Sequence, residues 1–273
     1  MVLLLFLCCS ILAVTAQTAA DSLALVAADW QVTPLEKGIL YRKAVFASLY
    51  GVPQEVSIIE ISPKRHRFDV LIHNPKEETS TVARRSGAVA AINGSYFDMK
   101  AGNSVCYLRR DGIVVDTTAT GTLATVSNGA VLIRNGKLQL MPWSKEKEKT
   151  CGLKRGTVLA SGPLMLLDGK ACDLSACNPG FVNTKHPRSA VVLTGDKKIL
   201  FIVVDGRMKG KAEGINIPEL AHMIRVLGGK DALNLDGGGS STLWSASLPD
   251  EGIANTPSGK AERKVANSLC VYE

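Results

Sequence analysis

The segment Leu235-Asp236-Gly237-Gly238-Gly239-Ser240-Ser241-Thr242-Leu243 leaves this chain few conformational choices. Three successive glycines weaken any helix or strand, because glycine loses the most backbone freedom on ordering. Apolar runs stand on both sides, Ala232 to Leu235 and Leu243-Trp244, so the segment reads as a loop at the end of a strand. Without Cβ atoms, Gly237, Gly238 and Gly239 can bring their amides close to a ligand, and successive N–H groups form an anion nest. The hydroxyls of Ser240 and Ser241 add donors. Asp236 at the rim can act as base, nucleophile or metal ligand. The plain alternative is a tight turn with a capping aspartate.

The chain has 273 residues, enough for one large domain or two small ones, and its 46% hydrophobic and 21% charged residues are ordinary for a globular protein. Residues 1–16 carry no charged side chain, and their apolar stretch is too short to span a membrane. With Val14-Thr15-Ala16 as a small-residue cleavage site, they read as a signal peptide, so a secreted or periplasmic location is expected. The stretch lacks the usual basic start, and Cys8-Cys9 raise a lipoprotein alternative that Leu7 fits poorly. No other stretch is expected to span a membrane. Five cysteines follow, an odd number, and Cys172 with Cys177 could pair in an oxidising compartment. The net charge of +7 suits an anionic substrate. No arginine-rich tail or basic-aromatic interleaving suggests nucleic acid.

Residues 17–29 read as an N-terminal segment and residues 30–273 as one domain. Val56 to Ile61 and Phe68 to Ile72 read as strands around a polar turn. Asp111-Gly112 and Asn135-Gly136 read as hairpin turns. Thr79 to Ser86 reads as a short helix capped by Thr79 or Ser80. Val158 to Ser161 and Leu164 to Leu167 flank a Gly-Pro break, and Ala190 to Leu193 and Ile199 to Val204 flank Gly195-Asp196. Pro218 to Leu227 is the best helix, with Pro218 at its first position and Gly228 to end it. Many strands and few helices predict an α+β fold, a single domain with a large mixed or antiparallel sheet.

Four polar clusters sit where strands end: Asn93 to Asp98, His186 to Ser189, Asp205-Gly206-Arg207, and Asp236 to Ser240. Strand-end loops are where sites are built on a rigid sheet. Each cluster alone could be a turn or a surface ion pair. No GxSxG elbow, Walker A loop, GxGxxG fingerprint or HExxH pair is present. The four histidines lack ligand spacing, and His222 reads as a structural mid-helix residue.

In order and spacing, several segments together resemble the phosphodiester glycosidase family. They are Ala91 to Phe97, Ser161-Gly162-Pro163 with Leu167-Asp168-Gly169, His186 to Val191, Val204 to Arg207, Glu219-Leu220-Ala221 and Asn234 to Thr242. A mammalian member uncovers mannose 6-phosphate by removing N-acetylglucosamine. The likeness covers roughly Trp30 to Val271. Ser189 stands where the family usually has Thr, and Tyr96 where it often has Phe. The resemblance implies a bare catalytic domain, without the cysteine-rich modules and membrane anchor of the mammalian enzyme.

The resemblance implies cleavage of a sugar-1-phosphodiester to free sugar and a phosphate monoester, with a sugar-phosphate glycan or small molecule as substrate. A phosphate monoester leaves as a stable anion, so it needs little help from a general acid. Arg188 and Arg207 are the expected phosphate clamp. Asp236 is the favoured carboxylate at the anomeric carbon, with Asp205 second and Glu219 third, although Glu219 could simply complement the helix dipole. Asn93, Tyr96, His186, the three glycines, Ser240 and Ser241 are expected substrate contacts. This reading requires no cofactor. Three rivals remain. A phosphodiesterase would break P–O, with a divalent cation held by Asp205 and Asp236. A binding module would cradle anionic polysaccharide without turnover. An acyl hydrolase would use Ser240.

Overall fold

The computed structural model describes residues 19–259 and 261–273, so the signal peptide reading of residues 1–16 lies outside the described residues. In the first half of the chain the strands are β1 (Gln31–Glu36), β2 (Ile39–Leu49), β3 (Val52–Ile61), β4 (Arg67–Glu77), β5 (Ala90–Asn93), β6 (Leu108–Arg110), β7 (Ile113–Asp116), β8 (Gly129–Arg134) and β9 (Lys137–Pro142). Then come β10 (Thr157–Ser161), β11 (Leu164–Leu167), β12 (Lys170–Ala171), β13 (Arg188–Thr194), β14 (Ile199–Val204), β15 (Gly229–Asn234), β16 (Leu243–Ser245) and β17 (Val265–Tyr272). They form three sheets, ordered β1-β2-β3-β14-β13-β15-β11-β12, β7-β6-β10-β8-β9 and β16-β5-β17-β4. Every pairing among the described residues is antiparallel. The fold is α+β, dominated by antiparallel sheet.

The centre of the eight-stranded sheet is buried on both faces, which is why β14 reads Ile-Leu-Phe-Ile-Val-Val without polar interruption. Leu200, Ile202 and Val204 face one apolar cluster with Ala190, Val192 and Ala232. That cluster is closed by Leu220, Met223 and Ile224 of the Ile217–Val226 helix. Ile199, Phe201 and Val203 face a second cluster with Val191 and Leu233. There Phe68, Val70, Ile92 and Leu269 of the four-stranded sheet pack against them, and Phe68 meets Phe201 edge to face at 6.3 Å. The Thr79–Ser86 helix covers the outer face of that smaller sheet through Ala83, beside Ala91, Trp244 and Cys270.

Several local expectations hold. Asp111-Gly112 and Asn135-Gly136 both have positive φ at the centres of the β6–β7 and β8–β9 hairpins, the backbone that tight primed turns require. The expected helix forms as Ile217–Val226, with Pro218 second rather than first, behind an Asn216–Glu219 capping box. Other expectations are corrected. β3 and β4 lie in different sheets: β3 is buried on both faces over Gln54 to Ile59 and lies mid-sheet, whereas β4 alternates over Arg67 to Val70. The Gly162-Pro163 break between β10 and β11 stands where expected, and the two strands enter different sheets. Neither Thr79 nor Ser80 caps its helix: Glu78 holds the cap position, Thr79 Oγ1 meets Ser268 Oγ, and Ser80 binds the Glu262 carboxylate. Cys172 and Cys177 are both free thiols.

The segment placed ahead of the domain also packs on it. Residues 19–26 are helical, and Leu25 is buried in the first cluster. Asp21 Oδ1 accepts from the Tyr50 amide at 2.9 Å, and Ser22 Oγ lies 3.1 Å from His222 Nε2. Among the described residues, no helix is long and apolar enough to cross a membrane.

Phe201 joins the large sheet to the small one, and its ring is fully buried. Phe201→Ala is expected to lower unfolding free energy by about 3–5 kcal/mol in urea titrations. A loss under about 1 kcal/mol would contradict this packing account.

Candidate active site

The register of three strands places the polar clusters side by side. β13 runs antiparallel to both β14 and β15, with Arg188 opposite Val204 and Ala190 opposite Asn234. The start of β13 therefore meets the ends of β14 and β15 at one edge of the sheet. Arg188 leads into β13, Asp205-Gly206-Arg207 follow β14, and Asp236 to Gly239 follow β15. The neighbouring β5 ends at Asn93 and brings Tyr96 to the same edge.

There, a cleft of about 290 Å³ is lined by Asp236, Arg188, Arg207, Arg263, His186 and Tyr96, together with Phe181 and the three glycines. Asp236 is the one carboxylate in the lining. Burial pushes its carboxyl up to about 6, against the downward pull of a Ser240 hydrogen bond, Arg263, the Gly237 amide and Arg188. His186 is pushed down by burial and then by Arg188 and Arg207, which favours the neutral imidazole.

Neighbouring atoms explain the three glycines. A Cβ on Gly237 would lie 2.6 Å from the Pro187 carbonyl oxygen. Gly238 has φ +63°, and Arg207 Nη2 would be 2.9 Å from a Cβ there. At Gly239 a Cβ would fall 2.2 Å from Arg263 Nη2. The loop is bare so that arginines can lie on it. The expected amide nest is correspondingly reduced: Gly238 N donates to Pro187 O at 2.8 Å, Ser240 N to Gly237 O at 3.2 Å, and the Gly237 amide to Asp236. Guanidinium groups supply most of the positive field.

Arg188 is held firmly. Its Nε donates to Ile215 O, its Nη2 donates to Phe181 O and Thr184 O, and its guanidinium stacks 4.9 Å from the Phe181 ring centroid. Arg207 is exposed at the cleft mouth. Arg263 Nη1 donates to Ser240 Oγ at 3.5 Å. Tyr96 is fixed by donating to Gly162 O and accepting from Asn234 Nδ2 at 2.8 Å.

Five expected site residues, Asn93, Asp205, Glu219, Ser240 and Ser241, stand outside the cleft lining. Asn93 is fully buried and braces the loop: its Nδ2 donates to Asp236 O at 2.7 Å, while its Oδ1 accepts from Ser189 Oγ and Thr242 N. Its bonds hold the main chain at Asp236, and its side chain does not line the cleft. Ser241 is buried, with its carbonyl accepting from Asn255 Nδ2. Glu219 is spent on the capping box and on Lys185 Nζ, so its dipole-and-cap role wins over the catalytic one.

Asp205 accepts from Asn255 Nδ2 at 3.0 Å and Thr256 N at 2.9 Å, and burial pushes its carboxyl up to about 6. The period-two alternation of strands explains the outcome. Ala190, Val192 and Ala232 face the helix-side cluster, and Arg188 and Asp236 continue those rows. Val204 faces that side too, so Asp205 turns the other way. The pair of aspartates needed to hold a divalent cation is therefore not assembled, and no metal-binding group of three or more ligands occurs among the described residues. The Ser240 hydroxyl, the nucleophile of the acyl-hydrolase alternative, is hydrogen-bonded to Asp236 and accepts from Arg263 Nη1.

Arg263 and Phe181 were not anticipated. Arg263 sits two residues before β17, so the strand-end logic applied to the last strand would have found it. Phe181 lies in the short Pro179–Asn183 helix, whose sequence carries no chemical signal.

Comparison with known proteins gives this geometry a context. The sequence profile for phosphodiester glycosidases matches residues 86–272. The chain is 28% identical over 213 residues to the N-acetylglucosamine-1-phosphodiester alpha-N-acetylglucosaminidase of Bos taurus, covering 72% of this chain and 38% of that protein. It is 27% identical over 200 residues to the SPbeta prophage-derived uncharacterized protein YomE of Bacillus subtilis (strain 168), covering 72% and 30%. The chain thus spans less than two fifths of the length of these relatives. The zebrafish N-acetylglucosamine-1-phosphodiester alpha-N-acetylglucosaminidase catalytic domain, solved auto-inhibited by its pro-peptide, superposes with a TM-score of 0.68 at 20% identity. That match covers 90% of this chain and 88% of the other. A hypothetical protein from Synechocystis gives 0.64 at 14% identity, covering 90% and 64%. With a profile match over more than half of its length, the chain belongs to the phosphodiester glycosidase family.

Proposed function

We propose that this chain hydrolyses a sugar-1-phosphodiester at its glycosidic C–O bond, releasing a free sugar and a phosphate monoester. The carrying observation is one carboxylate, Asp236, in a cleft with three arginines, Arg188, Arg207 and Arg263. Ordinary glycosidases need two carboxyl groups, one to protonate the departing alkoxide. A departing phosphate needs charge stabilisation more than a proton, and guanidinium forks match its oxygens. Three cations against one carboxylate leave the cleft net positive before the anion enters. At an effective dielectric of about 20, a unit charge pair 4 Å apart is worth roughly 4 kcal/mol. The arginines therefore outweigh the repulsion between Asp236 and the substrate phosphate.

In this reading Asp236 acts at the anomeric carbon, as nucleophile or as base for water, and the Ser240 hydroxyl and Gly237 amide fix its carboxylate. Arg188, braced by three carbonyls, and Arg263 hold the phosphate from two sides, with Arg207 closing the mouth. Phe181 and Tyr96 give the sugar an apolar wall. N-Acetylglucosamine is the sugar suggested by the named bovine and zebrafish relatives.

Asp236→Asn is expected to cut kcat by roughly 10³-fold or more while leaving the thermal transition in place. A folded Asp236→Asn protein with near-native turnover would remove the mechanism. Because the reactive form is ionised and the carboxyl lies at about 6, kcat/KM should fall as pH drops below that value. A profile flat from pH 5 to 8 would contradict the assignment.

Arg263→Ala and Arg207→Ala are each expected to lower kcat/KM on a phosphodiester by about 10²-fold, with a much smaller effect on a neutral aryl glycoside of the same sugar. Equal losses on the two substrates would mean that these arginines do not hold the phosphate.

A further inference from the structure

A second cleft, of about 860 Å³, opens at the far ends of strands that lead to the active site. Thr157 lines it at the start of β10, whose other end, Ser161, donates to Asn234 O beside the catalytic loop. Tyr272 lines it at the end of β17, where the register runs back to Ser268 opposite Asn93. At about 3.3 Å per residue, the two clefts are separated by roughly 13 Å of strand.

Arg67, Arg110, Lys154 and Arg155 line this cleft, and an adjoining recess shares Lys154 and Arg155 and adds Arg134. Two carboxylates stand against these five cations, and both are occupied. Asp69 Oδ2 is taken by Arg110 Nη2 at 2.7 Å, and Asp111 Oδ1 by the Gly156 amide at 2.8 Å. Arg67 Nη2 donates to a main-chain oxygen of Glu273, the last residue of the sequence, at 3.4 Å. Among the described residues, Arg134, Lys154 and Arg155 make no ion pair, and these three and Arg67 are exposed.

The walls are fixed in advance. The Asp111-Gly112 turn is tied to the start of β10 by Asp111 N donating to Gly156 O as well as by the Asp111 carboxylate. The Asn135-Gly136 turn is tied to β4 by Phe68 N donating to Gly136 O, and the Arg67 stem lies against Gly136. Crowding unpaired cations on a rigid surface is unfavourable in the free protein and is relieved when an anion binds.

The arrangement narrows the ligand. β10 lies between β6 and β8, so the ends of those strands, at Arg110 and Arg134, are two strand spacings apart, about 10 Å. One phosphate cannot bridge that distance; a chain carrying successive anionic groups can. Single-stranded nucleic acid is held largely by stacking on aromatic faces. Here Phe68 is buried, and Tyr272 is tethered through its hydroxyl to Ser86.

We propose that this cleft is a second anion site, which grips the backbone of a linear phosphodiester-linked polymer of the sugar- or polyol-phosphate type, away from the reacting bond. Binding there requires neither Asp236 nor turnover, so it stands or falls separately from the cleavage reading.

The test is calorimetric titration of the full chain with poly(glycerol phosphate), and in parallel with oligothymidylate, across a salt series. Arg67→Glu/Arg155→Glu is expected to weaken poly(glycerol phosphate) binding by about tenfold or more and to flatten the slope of log K against log salt by about 1.4. Its kcat/KM on a small soluble sugar-1-phosphodiester should match the unsubstituted chain. Lys100→Glu/Lys170→Glu, the same charge change elsewhere on the surface, should retain binding. Unchanged affinity in the first variant, or an equal loss in the second, would overturn the proposal. Tighter binding of oligothymidylate than of poly(glycerol phosphate) would overturn it in favour of a nucleic-acid surface. If no sugar-1-phosphodiester is turned over but the binding pattern holds, the cleavage reading fails and the second site stands.

Discussion

The site depends on one buried amide. Asn93, at the end of β5 in the four-stranded sheet, donates to the Asp236 carbonyl and accepts from Ser189 on β13 and from the Thr242 amide beyond the glycine loop. The Asp236 amide completes the link by donating to Gly94 O at 2.9 Å. Two sheets that otherwise meet through apolar side chains are thus pinned together where the cleft carboxylate emerges. Each buried polar group left unsatisfied costs about 1–3 kcal/mol, so losing this amide would strand several groups at once. The position rewards Asn over Asp, since one side chain must both donate and accept.

The second constraint is electrostatic. A carboxylate half-buried among three guanidinium groups would ordinarily have a low pKa, yet desolvation dominates at Asp236 and leaves it at about 6. It is ionised near neutral pH but not strongly stabilised, a useful state for a nucleophile or base. The bare glycine loop makes this possible by letting Arg207 and Arg263 lie where side chains would otherwise stand. Glycine here does less as a source of free amides than as a source of room. The same loop turns Ser240 towards Asp236 and Arg263, so its hydroxyl orients the carboxylate.

The sequence carried the fold's broad outline because its signals are local. Asn135-Gly136 and Asp111-Gly112 specify hairpins by their backbone preference alone, and the Ile-Leu-Phe-Ile-Val-Val run of β14 marks a strand buried on both sides. Sheet order was not legible, because strands such as β3 and β4 adjoin in the chain yet part into different sheets. At the site, Asp236, Arg188, Arg207, His186, Tyr96 and the glycines converge on one cleft. Asp205 and Glu219 do not: strand alternation sends one to the opposite face, and a helix cap claims the other. That alternation is written in the sequence, but its use requires knowing which face holds the cleft. Arg263 is brought in by tertiary packing from a segment with no motif of its own.

The central claim is that the bond broken is C–O, with a phosphate monoester leaving from the anomeric carbon. Hydrolysis of N-acetylglucosamine-1-phospho-6-mannose in oxygen-18 water, with products weighed by mass spectrometry, tests it most directly. The account predicts label in free N-acetylglucosamine and none in the mannose phosphate. Label in the phosphate would mean attack at phosphorus, and the roles assigned to Asp236 and the three arginines would be wrong.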